Sequence, residues 1–134
     1  MNLIRTSTLA AAALLSFAAP AAEPPSPAKV TPLLTKALPD LPGKEGMMLT
    51  VEYAPGGASP SHRHNAHTFV YVLEGNVVMQ VAGGKEMTLK VGDTFYEAPT
   101  DIHSVSRNAS DSQPAKLLVF FIKDAGAPVS MPVK

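Results

Sequence analysis

Cysteine is absent from this 134-residue chain, so neither a disulfide framework nor a thiolate metal site is available to it. Any bound metal must be held by nitrogen and oxygen, a donor set that favours iron, manganese, nickel, copper or zinc without choosing among them. Excess charge of either sign is absent too. The 11 basic residues are matched by 11 acidic ones, which leaves no basic footprint for nucleic acid and makes a small molecule the expected partner. Histidine is scarce: there are four, three of them within positions 62–67 and the last at His103.

What is plentiful is turn-forming residues. Proline (13) and glycine (9) separate β-branched and aromatic runs, which predicts many short strands in one domain rather than helices. Residues 1–22 carry the pattern of a signal peptide, with Arg5 before an apolar stretch at 9–19 and small residues around Ala21. The apolar stretch is too short for a stable membrane anchor. The expectation is export, to a periplasm in view of the alanine-rich style, with a mature chain starting near Ala22.

Residues 23–46 read as a linker and N-terminal arm, and 47–134 as the folded domain. The Pro/Ala/Ser-rich stretch 23–29 has no evident means of packing. Leu33, Leu34, Leu38 and Leu41 are too apolar for a free tail and predict an arm lying along the domain or a neighbouring subunit, with a disordered leader as the alternative. Strands are expected at 47–54, 68–73, 76–82, 86–90, 94–97, 103–107 and 116–122. The second and third are expected to pair across Glu74-Gly75, and 123–134 to form a closing tail. Such a series suits a double-sheet jelly roll or small barrel whose mouth holds a ligand.

His62 and His64 stand two apart, so on an extended chain both imidazoles face one side and can meet at a metal. A lone His-x-His pair is also what two exposed strand histidines look like. The second segment changes the weighing: Gly92 is followed eleven positions later by His103, after a turn, a strand and a loop. Gly56, His62, His64 and Gly75, then Gly92 and His103, resemble the two signature motifs of the cupin family, with an intermotif stretch over 76–91 near the short end of the family's range. The resemblance covers roughly 47–122 and implies an all-β, double-stranded β-helix (a cupin jelly-roll barrel), commonly assembled as a homodimer.

It further implies one divalent transition metal ion on His62, His64 and His103. The family's glutamate ligand in the first motif is replaced here by Thr68. In the second motif, Pro99 and Asn108 each stand one position late and Thr100 replaces a glycine, variations that leave His103 in register.

Two residues are candidates for catalytic work or for the missing ligand's place. Glu97 can restore an acidic ligand or accept a proton, or else be an outward strand-end charge. His67 turns inward only if the chain bulges between Asn65 and Thr68, since strict alternation faces it away. Gln80, polar among valines, is either a cavity group or a solvent-facing alternate, and Phe69, Tyr71, Phe95 and Tyr96 are expected mostly in the core.

The function expected from this pattern is an exported metal-binding cupin. Three histidines without a carboxylate resemble diketone-cleaving and thiol dioxygenases, which implies dioxygenase-like action on a small diketone-like or phenolic substrate. The alternatives are a metal-dependent isomerase or lyase for a sugar or dicarbonyl compound, and a non-catalytic binding protein for a small ligand or the metal.

Overall fold

The computed structural model describes residues 24–133, so the leader expected over 1–22 lies outside them. Eleven strands and no helix occur among the described residues: β1 (Lys29–Ala37), β2 (Lys44–Tyr53), β3 (Ala58–Ser59), β4 (His62–Arg63), β5 (His67–Glu74), β6 (Asn76–Val81), β7 (Met87–Lys90), β8 (Thr94–Glu97), β9 (His103–Asn108), β10 (Ala115–Asp124) and β11 (Met131–Pro132). None of these residues belongs to a helix long and apolar enough to cross a membrane.

The strands form two antiparallel sheets. One has the order β1-β2-β10-β5-β8, the other β11-β4-β9-β6-β7 with β3 also paired to β9. The result is the all-β jelly roll expected from the turn-rich sequence. Alternation along β10 buries Leu117, Val119 and Phe121, while β5 buries Thr68, Val70 and Val72. With Leu49, Val77 and Met79 they fill the space between the sheets.

The arm is a strand. Strand β1 pairs antiparallel with β2, from Lys29 opposite Glu52 to Ala37 opposite Glu45 with a bulge at Leu33, and so lies along the domain. Packing begins earlier than the composition suggests, because the Ser26 carbonyl accepts from Ala58 N–H (3.2 Å) and Ala28 lies against the core. Val30, Leu33 and Leu34 remain exposed on this edge strand.

The expected hairpin at Glu74-Gly75 does not form: β5 pairs with β10 and β8, and β6 with β7 and β9. Gly75 is the corner where the chain leaves one sheet for the other. Its φ of 69° is left-handed, and a Cβ there would run into the Pro114 carbonyl. Local sequence marks a tight turn in the same way whether the chain folds back on its own strand or crosses a sandwich. Phe69, Tyr71 and Tyr96 also depart from expectation, standing exposed on the outer face of the first sheet.

Gly75→Ala should therefore destabilise the fold by more than about 2 kcal/mol, the left-handed penalty for an L-residue plus the displaced Pro114 backbone. Urea unfolding measures this, and an unchanged midpoint would contradict the corner's role.

Candidate metal centre

His62 lies in β4 directly opposite His103 in β9, and His64 follows two residues on, so neighbouring strands deliver three imidazoles to one point. One ring nitrogen from each lies within 4.8 Å of the others. Their tautomers follow from what surrounds them. His62 Nδ1 faces the Pro60 carbonyl at 2.8 Å and His64 Nδ1 faces the Val129 carbonyl at 2.7 Å. A carbonyl oxygen only accepts, so each Nδ1 carries the proton and each Nε2 is left with a bare lone pair.

Those two Nε2 atoms stand 3.1 Å apart. Two lone pairs at that distance repel, and a cation shared between them removes the conflict. Burial, reinforced by His64 and His103, holds His62 below its ordinary pKa against the opposing pull of the Pro60 carbonyl and Glu97. The neutral ring that a metal needs is therefore the form present at neutral pH.

Glu97 lies against the cluster. It ends β8 facing inward at 2 % exposure, with Oε1 3.2 Å from His103 Nδ1 and Oε2 3.7 Å from His64 Nε2. Neither carboxylate oxygen has a hydrogen-bond partner, and neither ring nitrogen of His103 has one. A buried carboxylate without hydrogen bonds or a cation is costly, and four orphaned polar atoms in one place are what a coordination site looks like before the ion is counted. The converging donors are imidazole nitrogens, which suit a divalent transition ion.

Glu97 is the register partner of Thr68. A carboxylate thus stands directly across the ladder from Thr68, which is fully buried and donates only a long hydrogen bond to the Ala66 carbonyl (3.4 Å). His67 does not turn inward. Asn65 takes a left-handed φ of 49°, Ala66 and Thr68 are buried, and His67 lies on the opposite face with its ring 2.7 Å from the Tyr96 hydroxyl. It is placed outside the cavity wall, contrary to the bulged alternative.

A cavity of ≈ 300 Å³ opens beside the histidines, walled mainly by apolar residues such as Leu49, Met79, Leu117 and Phe121. Gln80 does not line it and instead donates to the Gly84 carbonyl at 2.8 Å. Three lining residues, Tyr53, Ser59 and Ser106, had no signal in the sequence. Ser106 faces inward because the β6–β9 register slips at Ser104, which breaks alternation after His103. Tyr53 hydrogen-bonds both serines, at 2.7 Å to Ser106 and 2.9 Å to Ser59. Burial raises its pKa, and the Glu97 charge adds to this, so it remains a phenol.

The C-terminal tail is part of the site. Lys123, buried, ion-pairs Glu45 and donates to the Ala127 carbonyl (2.7 Å), and β11 then pairs with β4 beside His62. This run brings the Val129 carbonyl to His64. Asn108 serves the fold instead, donating to the carbonyls of Ala54 and Gln113 and accepting from Ser110 N–H.

Removing any one imidazole by His62→Ala, His64→Ala or His103→Ala should weaken metal binding by about tenfold or more and leave the protein less than fully occupied. Deleting 129–134 keeps all three rings but frees His64 to turn, and should weaken binding by about tenfold or more. Elemental analysis and chelator competition measure both, and full occupancy in the three variants would contradict the site.

In comparison with known proteins, the family model described as "Cupin domain" matches residues 49–121, more than half of the chain. No curated protein matches the sequence. Among solved structures, a cupin domain from Bordetella pertussis Tohama I is 18% identical with a TM-score of 0.60, over 76% of this chain and 99% of that one. The DMSP lyase DddQ from Ruegeria pomeroyi DSS-3 is 22% identical with a TM-score of 0.56, over 62% of this chain and 41% of that one. An oxalate oxidase in complex with the substrate analogue glycolate is 24% identical with a TM-score of 0.59, over 78% and 54%. The chain thus spans about half the length of these two enzymes or less, and the likeness is one of fold. Two sheets in jelly-roll order, three converging histidines and the matched span together place the chain in the cupin family.

Proposed function

We propose that this cupin is a metal-dependent enzyme that binds a small, mainly apolar molecule through an oxygen function and acts on it with dioxygen. The observation that carries the reading is the buried Glu97 carboxylate, without a hydrogen bond, set against His64 and His103 of a three-histidine cluster beside a mainly apolar cavity. The ion, when bound, supplies Lewis acidity toward the substrate oxygen and, if redox-active, electrons for dioxygen. The chain's own residues do the rest. The Pro60 and Val129 carbonyls hold two rings as neutral donors, Glu97 serves as the carboxylate ligand, and the apolar walls exclude water so that polarisation is not screened.

With Glu97 among the donors, the reading no longer rests on likeness to sites that lack a carboxylate. The apolar walls disfavour a sugar, whose hydroxyls would find few partners there. Fold does not fix reaction type, and the resemblance to oxalate oxidase supports redox chemistry only by analogy. The resemblance to a DMSP lyase favours a second reading, elimination without oxygen at the same site. Export to a periplasm and assembly as a homodimer belong to the same proposal. They are supported by the leader pattern over 1–22 and by the exposed Val30, Leu33 and Leu34 on edge strand β1, which a second copy would cover.

The test is turnover of small diketones and phenols by Fe(II)-loaded protein, with and without air. Oxygen uptake stoichiometric with substrate loss is expected. Turnover undiminished under nitrogen would replace the reading with a lyase, and tight binding without turnover would replace it with a binding protein.

A further inference from the structure

Away from the histidines the cavity has a second polar point. Ser59 in β3 is the register partner of Ser106 in β9, just as His62 is the partner of His103, and the Tyr53 hydroxyl joins the two serines. Ser106 stands three residues along β9 from His103, but the slip at Ser104 sets the two opposite Val81 and Met79, two residues apart on β6, which at strand rise separates the two points by roughly 7 Å. Most of the remaining wall is apolar, with Leu49, Met79, Leu117 and Phe121 among its residues.

The hydroxyl group of three is not saturated. Three O–H donors share two O···O contacts, and no other partner of these hydroxyls occurs among the described residues, so one proton is left to donate. No lysine or arginine lines the cavity among the described residues, and Glu97 is its one acidic group. A divalent ion together with the Glu97 carboxylate therefore leaves one positive charge, at the histidine end. An anion placed at the hydroxyl end would be desolvated with no counter-charge.

We infer that the cavity selects a small monoanion with an apolar middle, its anionic oxygen at the metal end and a neutral carbonyl, ether or hydroxyl oxygen accepting from the Tyr53–Ser59–Ser106 hydroxyls. The inference rests on the metal-dependent reading above and narrows its substrate class. It excludes dianions and sugars.

Three probes of matched ring test it: benzoate, 4-acetylbenzoate and terephthalate, titrated calorimetrically into Co(II)-loaded full-length mature protein while the visible Co(II) bands are recorded. One added hydrogen bond should make 4-acetylbenzoate roughly fivefold to tenfold tighter than benzoate. The second charge should make terephthalate at least about tenfold weaker than 4-acetylbenzoate. Tyr53→Phe combined with Ser59→Ala and Ser106→Ala removes all three hydroxyls without orphaning one, and should erase the preference for 4-acetylbenzoate over benzoate while the Co(II) bands of the unliganded protein stay as in the parent.

Equal binding of benzoate and 4-acetylbenzoate by the parent, terephthalate as tight as 4-acetylbenzoate, no binding by any probe, or an acetyl preference that survives the triple variant would each overturn the inference. Should the triple variant fail to fold, the parent's ranking of the three probes decides. Failure of the parent to take up Co(II) at all would overturn the metal reading itself, and it shows in the spectrum before any probe is added.

Discussion

Two backbone carbonyls decide the chemistry of this molecule. By accepting hydrogen bonds from Nδ1–H of His62 and His64, the Pro60 and Val129 carbonyls leave two bare Nε2 lone pairs 3.1 Å apart. A cation shared among the donors would relieve that repulsion and also satisfy Glu97 and His103, whose buried polar atoms have no hydrogen-bond partner. The carbonyls come from segments far apart in sequence. Pro60 lies between the short strands β3 and β4, and Val129 lies in the tail that Lys123 and β11 hold in place. The site therefore depends on the fold being closed from both sides.

The sandwich explains why the donors converge. Strand β9 carries His103 and pairs with β4, which carries His62, while β8 in the facing sheet carries Glu97 into the same space. Corners such as Gly75 pass the chain between sheets within a residue or two, so ligands far apart in sequence meet without long loops. A carboxylate can then move from one strand to its neighbour, from position 68 to position 97, and still reach the same centre, because register partners in an antiparallel pair lie only about 5 Å apart.

Much of this was legible in the sequence, and what was not has identifiable reasons. The three histidines could be read because two-residue spacing on an extended chain fixes a face, and the strand positions because glycine and proline punctuate them. Glu97 was visible as a candidate but its direction was not, since a strand-end residue has no following neighbour to fix alternation. His67 depended on the backbone at Asn65, which enters the left-handed region without shifting the later alternation. Ser106 was hidden by the register slip at Ser104, and Val129 by the fact that a carbonyl carries no side-chain signature. The sheet-to-sheet crossing at Gly75 looked like a hairpin because local sequence specifies the turn and not the partner strand.

The central claim is that Glu97 does from β8 what a carboxylate at position 68 would do from β5. Its most direct test is Zn(II) affinity, by chelator competition at one pH, for the parent, Glu97→Thr, and the exchanged pair Glu97→Thr with Thr68→Glu. The account predicts a loss of about tenfold or more on removing the carboxylate and recovery to within a few-fold of the parent when it is returned across the ladder. Parent-like affinity in Glu97→Thr alone would contradict it.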